Sequence, residues 1–595
     1  MPRVTVVNLD KEIVTRHGES LLESLLREDI EIEAYCGGFG SCGKCVVQVL
    51  SGECSEPTSL EKKHLGERLK NGFRLACQAK PESDLRLDIS FSLTEPLEVY
   101  TETKEAIALD LPMWREEVIL RKPSLDKVKT LQELIEEGVS VNINGCEWSI
   151  KALQGISSIG EESDIQLELI GSSRHVRWAG RQSEHGTFLG LAVDLGTTTV
   201  AVELVDLVSG HTVHRAGAMN RQGRYGADVI SRMKAVQENP ASLEQLRKLL
   251  VETVNDLVKE SCRKAERDPE RIFAVSMAGN TVMQHLILGV SPLAIGVAPY
   301  ASVWTRESLY SAKEIGLKVN PEADVYVFPA IAGYVGGDIV AGLTSHELEK
   351  ASEALLYIDI GTNGEIVLIH DGRILCCGTA AGPAFEGAQI QYGSRASAGA
   401  ISAVEIDQGS LHFYTIGDVP PRSICGTGLI DSLACLVREK LISPTGRFAE
   451  NAGKYAERMG KNERKRYFIL SDNPLISLSQ EDISQLQLAK AAFQAGRRIL
   501  LHIAGLREEN IKRVVLAGAF GSFINPESAA IIGLVPPDGR VATVGNASLF
   551  GAKRALLSRT FREQAAEFSQ RAEYVELSGR ADFQEHFFEA LSFPQ

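Results

Sequence analysis

Two stretches of this chain repeat one pattern. "GLAVDLGTTTVAVELVDLVSG" from Gly190 and "LLYIDIGTNGEIVLIHDGRILCCG" from Leu355 lie about 165 residues apart, and each runs from an apolar strand through D-x-G-T into a second alternating strand. The repeat predicts a duplicated α/β domain over residues 188–595, with a facing β-hairpin in each half. A tight turn between two strands presents backbone N–H groups and a threonine hydroxyl, and glycine lets an oxyanion approach with no Cβ in the way. Gly196, Thr197 and Thr198 make the first such turn; Gly361, Thr362 and Asn363 make the second. An aspartate ahead of the turn cannot favour a bare phosphate. Asp194 and Asp359 therefore imply a cation in between, best met by Mg²⁺ with its water shell, and they face one nucleotide from two sides.

A third element fits the same ligand. In "VVLAGAFGSFINP" from Val514 a strand ends in Gly518, Ala519, Phe520 and Gly521, small residues that let a purine and ribose lie against the backbone. A buried strand and turn is the plainer alternative. Asp338 in "GGDIVAG" either orients water or Mg²⁺ near the γ-phosphate or caps a helix N-terminus. Gly382, Pro383 and Glu386, with Gly426 and Gly428, line the cleft or form turns. Together the two phosphate turns and the adenosine turn resemble the actin, Hsp70 and sugar-kinase superfamily, which implies two lobes closing on Mg-ATP.

The amino-terminal segment carries different chemistry. Cysteines at 36, 42, 45 and 77 give C-x5-C-x2-C followed by a distant fourth thiol. Structural zinc sites usually take two short ligand pairs, and the second pair is missing. An iron–sulfur cluster suits the spacing, because one glycine-rich loop wraps three thiolates around it and a strand supplies the fourth. "GFGSCGKC" also begins like a phosphate loop, but Cys45 stands where Ser or Thr should hold magnesium. The stretch over residues 1–93 resembles the [2Fe–2S] ferredoxins, nearer the adrenodoxin-like spacing than the plant type, with a β-grasp order of strands and helix. That resemblance makes Cys36, Cys42, Cys45 and Cys77 the cluster ligands; Cys54, in the turn "SGECSEP", is the competing candidate.

Between these regions, residues 94–126 have prolines and charges without a sustained period and read as a linker. Residues 127–187 read as a small α/β middle domain with a helical "TLQELIEEG" and a strand "DIQLELI". Trp114, Trp148 and Trp178 are core or strand packing before they are interface anchors, and Cys146 is a small buried residue. A chain of 595 residues and 64.7 kDa needs several such folding units. Its formal net charge of −15 repels a phosphate backbone, so nucleic acid and anionic membrane are not expected partners. With no export signal, no bilayer span and eleven cysteines, the sequence predicts a cytoplasmic protein whose clustered thiols bind metal.

Fusion of the two modules, with "NRQGRYGADVISR", "MAGNTVMQHL", "GYVGGDIVAG", "AGPAFEGAQI" and "SICGTGLIDSL", resembles the reductive activators of corrinoid proteins along nearly the whole chain. The resemblance implies ATP-dependent one-electron reduction of cob(II)alamin to cob(I)alamin on a corrinoid protein of a methyltransferase system. It also implies an upstream low-potential electron donor and a homodimer. Two other enzymes remain open: an activator of a radical dehydratase or reductase, and a redox-regulated small-molecule kinase. A plain electron carrier with a carboxyl-terminal scaffold is the non-enzymatic alternative. Cys376, Cys377, Cys425 and Cys435 fit no usual Fe–S spacing, and His285 reads as packing rather than cobalt ligation.

Overall fold

The computed structural model describes residues 2–16, 18–28, 30, 32, 43, 45–90, 109–120, 129–140, 143, 145–158, 165–173, 175–181, 188–361, 363–462, 465–473, 475–521, 523–537 and 540–594. Alternation in "RVTV" and "LRLD" places Val4, Val6, Leu85 and Leu87 on one buried face, and these two strands pair in parallel at the centre of a five-stranded sheet. The helix Leu21–Arg27 crosses that sheet and buries Leu21, Leu22 and Leu25. Ser20 and Glu23 start it with reciprocal bonds to each other's backbone N–H. This is the β-grasp arrangement expected of the amino-terminal segment.

The next sheet corrects the linker reading. Met113–Leu120, inside the segment expected to be a connection, pairs at all eight positions with Ile165–Ser172, from Met113↔Ser172 to Leu120↔Ile165. The charges of "MWREEVIL" hid a strand because one of them has a buried partner: fully buried Glu168 receives Arg115 and, at 2.6 Å, Arg271. The helices Leu131–Gly138 and Ile150–Ser157 cover this sheet, with Trp114 and Trp148 packed on its core. Cys146 is half-buried there. Trp178 instead meets Phe273 of the following domain at 5.8 Å, with the Arg271 guanidinium 4.9 Å above its ring, so it is an interface anchor.

The duplication is visible in topology. In the first half an antiparallel meander, Leu189–Leu195, Thr199–Asp206 and Thr212–Met219, continues into a strand Ile272–Gly279 parallel to the first. In the second half Leu355–Ile360, Gly364–His370 and Arg373–Thr379 repeat the meander, and Arg513–Ala517 takes the parallel place. Between the two sheets the helices Gly337–Ser345 and Ala547–Leu557 pack on each other. Close approach demands glycine: a Cβ on Gly551 would lie 2.3 Å from the Ala341 carbonyl oxygen, and one on Gly342 would lie 2.5 Å from the Tyr357 hydroxyl. One core spans both halves through this crossing and takes in Met113 and Ile170 of the preceding sheet. Among the described residues no helix is long and apolar enough to cross a membrane.

Candidate functional site

The first hairpin turn is braced from three directions. The Gly196 carbonyl accepts from Asn220 Nδ2 at 2.9 Å, the Thr197 carbonyl accepts from Arg232, and Thr197 Oγ1 accepts from Asn280 Nδ2 at 2.9 Å. A Cβ on Gly196 would stand 2.2 Å from the Thr199 carbonyl oxygen, so the turn is closed to any side chain. Thr198 Oγ1 points across to Glu386 Oε2 at 3.5 Å. In the second turn Gly361 N donates to the Asn363 carbonyl at 3.2 Å; Thr362 lies outside the described residues. The third element arrives against the second: Gly518 has φ +85°, and a Cβ there would lie 2.5 Å from Asp359 Oδ1. Gly518, Ala519, Phe520 and Gly521 form one helical turn at that point.

These turns bring four carboxyl groups into one cleft. Asp194 accepts from Asn546 Nδ2 at 2.9 Å and Ser548 Oγ at 2.8 Å, both at the start of a crossing helix. Asp338 is not the helix N-cap: Gly336 holds that position, and Asp338 sits in the first turn with its carboxylate 2.9 Å from the Ile339 N–H. The reason is steric, since Gly336 abuts the Asn280 backbone, where a Cβ would meet Asn280 Cα at 2.4 Å. Glu365 stands opposite Asp359 in the antiparallel register, so both side chains leave the same face of the sheet. The three aspartates are half-buried and Glu365 is buried.

Burial raises all four carboxyls, and repulsion from neighbouring carboxylates adds to it at Asp338, Asp359 and Glu365. For Asp338 the main cause is desolvation, followed by Asp359; for Asp359 it is desolvation, then Asp194. Glu365 is pushed well up by burial and by Asp338 and Asp359. Asp194 rises from burial despite its two hydrogen bonds. Such a wall is poorly balanced without positive charge, and among the described residues no three His, Cys, Asp or Glu side chains converge to chelate a metal directly. Hydrated Mg²⁺ fits this donor set, with acceptors facing a shared space and glycine turns leaving room for phosphate.

Glu365 was missed in the sequence although its signal was there: in "DIGTNGE" the strand alternation and a short turn set it across from Asp359. Asn280, Asn546 and Ser548 carried no such signal, because they come from segments distant in sequence.

In the amino-terminal module Cys36 and Cys42 lie outside the described residues. The other two expected ligands are brought together: Ala76 N donates to the Cys45 carbonyl at 2.7 Å, one residue before Cys77. Gly43 has φ +69°, and a Cβ there would meet His64 Nδ1 at 2.7 Å, so the cysteine loop needs glycine at this point. Cys54 forms an isolated bridge with Pro81, and burial pushes its thiol up to about 11. Cys376 and Cys377 face two different cores, with Cys435 in the second of them. Burial raises all three thiols. Both nitrogens of buried His285 are used, Nδ1 at 2.7 Å from the Thr281 carbonyl and Nε2 at 3.2 Å from Val303 N, with Trp304 stacked at 4.2 Å.

Residues 4–82 match the 2Fe-2S iron-sulfur cluster binding domain, residues 189–351 the RACo middle region, and residues 353–595 the C-terminal domain of RACo, the ASKHA domain. Over 589 residues the chain is 30% identical to the corrinoid activation enzyme RamQ of Eubacterium limosum, covering 94% of this chain and 93% of that one. The chain belongs to the corrinoid activator family. The solved structure of a reductive activator for corrinoid, iron-sulfur protein superposes with a TM-score of 0.73 at 34% identity, covering 100% of this chain and 99% of that one. The [Co(II) methylated amine-specific corrinoid protein] reductase of Methanosarcina barkeri is 23% identical, over 68% of this chain and 77% of its own length. In this family's terms the duplicated domain read here as one unit divides at residues 351–353, between its two halves. The sheet containing Met113–Leu120 falls between the matched spans.

Proposed function

We propose that this activator binds Mg-ATP between its two hairpins and uses it to drive one electron from its amino-terminal cluster to a partner corrinoid protein. The observation that carries the reading is the convergence of Asp194, Asp338, Asp359 and Glu365 with two glycine turns in one cleft, on a chain that also bears a ferredoxin module. In this reading the turn at Gly196–Thr198, with Asn363 of the second turn, offers backbone N–H groups to phosphate oxygens. Asp194 and Asp359 hold the hydrated cation, Asp194 being fixed by Asn546 and Ser548. Asp338 and Glu365 face the same space and orient water by accepting its protons. The turn Gly518–Gly521 receives the adenosine.

Cys36, Cys42, Cys45 and Cys77 would hold the cluster, which when bound supplies one-electron chemistry near about −400 mV. Held there, the cluster would supply the one electron that takes Co(II) to Co(I) on the partner, and an upstream low-potential donor would restore it. Because cob(I) is the stronger reductant, transfer runs uphill. A gap of roughly 120 to 240 mV costs about two to four decades in equilibrium constant at ~59 mV per decade. A conformational bias of about 5.5 kcal/mol offsets four decades, a magnitude within reach of nucleotide-driven lobe closure. The same reading implies a cytoplasmic homodimer.

Pre-reduced protein mixed anaerobically with a cob(II) corrinoid protein should develop the cob(I) absorbance band only with Mg-ATP, and Cys42→Ala should abolish it. Equal growth of the band without nucleotide, or its persistence in Asp359→Ala, would overturn the coupling.

A further inference from the structure

The ferredoxin module and the Met113–Leu120 sheet are attached to the rest of the chain in different ways. The sheet shares a core with both ASKHA halves through Met113 and Ile170, and two arginines tie it down, Arg271 to Glu168 and Arg177 to Asp324 at 2.7 Å. The core of the ferredoxin module, by contrast, contains only its own residues among those described. It touches the two halves through polar contacts. Arg224 Nη2 donates to the Leu26 carbonyl at 3.0 Å, at the end of the ferredoxin helix. On the other half, Arg68, whose guanidinium lies 4.3 Å over Phe73 of its own module, is within electrostatic reach of Tyr392, as Asp88 is of Arg422.

Both footholds lead to the first phosphate turn. Arg224 lies on the 3-10 segment Arg221–Tyr225; Asn220 just before it bonds Gly196, and Gln222 within it accepts from Arg232, which bonds Thr197. Tyr392 lies six residues beyond Glu386, whose carboxylate meets the Thr198 hydroxyl across the seam between the halves. A phosphate arriving at this turn would meet that carboxylate, and like charges at such a distance repel.

We propose that the ferredoxin module is a detachable unit docked across this seam, and that nucleotide binding at the first phosphate turn displaces Glu386 and releases it. The inference rests on the reading of the cleft as a nucleotide site. Its consequence is directional: with nucleotide absent the module is parked on the ASKHA halves, and with nucleotide bound it is free to meet the partner's corrinoid.

Small-angle scattering of the full chain tests this, with nucleotide binding followed separately by calorimetry. Binding of a non-hydrolysable ATP analogue with Mg²⁺ should raise the radius of gyration, a sign opposite to that of simple lobe closure. The double variant Arg68→Ala/Arg224→Ala should be expanded without nucleotide, whereas Glu386→Gln should bind the analogue and stay more compact than the parent. An analogue that binds without expansion, or a double variant as compact as the parent, would overturn the release mechanism while leaving the nucleotide site intact. Absence of analogue binding by calorimetry would overturn both.

Discussion

Gly518 is the residue where backbone conformation and chemistry meet most closely. Its φ of +85° and the 2.5 Å from its missing Cβ to Asp359 Oδ1 exclude any side chain. Gly518→Ala is expected to cost about 1 to 3 kcal/mol in stability from strain in that region of backbone space, and to weaken nucleotide binding by turning Asp359. Chemical denaturation and calorimetry would read the two effects. The acidic wall makes a second prediction. Its carboxyls are raised above their unfolded values, so the stability they contribute is full below about pH 4 and is lost as pH rises through their raised values. Metal-free protein should therefore lose denaturant resistance between about pH 4 and pH 8, and Asp338→Asn should flatten that loss. Mg²⁺ with nucleotide should stabilise more at the higher pH, where the ionised wall needs its cation. An equal slope in parent and variant would show that the wall is not what titrates.

At the scale of elements, the two crossing helices join the halves and hold Asp338 and Asp194 in place. Asp338 rides on one of them, and the other begins with Asn546 and Ser548 on Asp194. The buried network of Glu203, Lys553 and Arg215 fixes the second helix to the first half, with Lys553 Nζ 2.8 Å and Arg215 Nε 3.1 Å from the carboxylate. Relative motion of the halves must act through this crossing, and its closeness depends on glycine. Gly551→Val would set side-chain atoms against the Ala341 carbonyl, a backbone group that cannot swing aside. Overpacking of this kind costs about 1 to 3 kcal/mol. ATP turnover should fall further than stability does, because one of the helices being forced apart carries Asp338 and the other braces Asp194. A variant with parental turnover would remove the crossing from the mechanism.

At the scale of the molecule, the Met113–Leu120 sheet shares one core with the two ASKHA halves, whereas the described ferredoxin residues have a core of their own. Glu168→Ala tests that attachment: it leaves buried Arg271 without its anion and half-buried Arg115 with only Glu117, a loss expected to cost about 3 to 5 kcal/mol and visible as an earlier unfolding transition. The duplicated hairpins, the cysteine spacing and the Gly518–Gly521 turn could all be read in the sequence, because each depends on residues within one short segment. For the same reason Glu365, in plain alternation with Asp359, was open to reading. The strand Met113–Leu120 was not, because one of its charges, Arg115, is paired with a buried glutamate some fifty residues away that also holds an arginine of another domain. Asp338 was ambiguous between cap and cleft until Gly336 was seen pressed against Asn280. Periodicity and turn chemistry are local, so the sequence alone determined the modules and most of the candidate ligands. Only tertiary structure decided which carboxylates face one another, what braces Asp194, and where the ferredoxin sits, since each depends on distances between segments that no local pattern encodes.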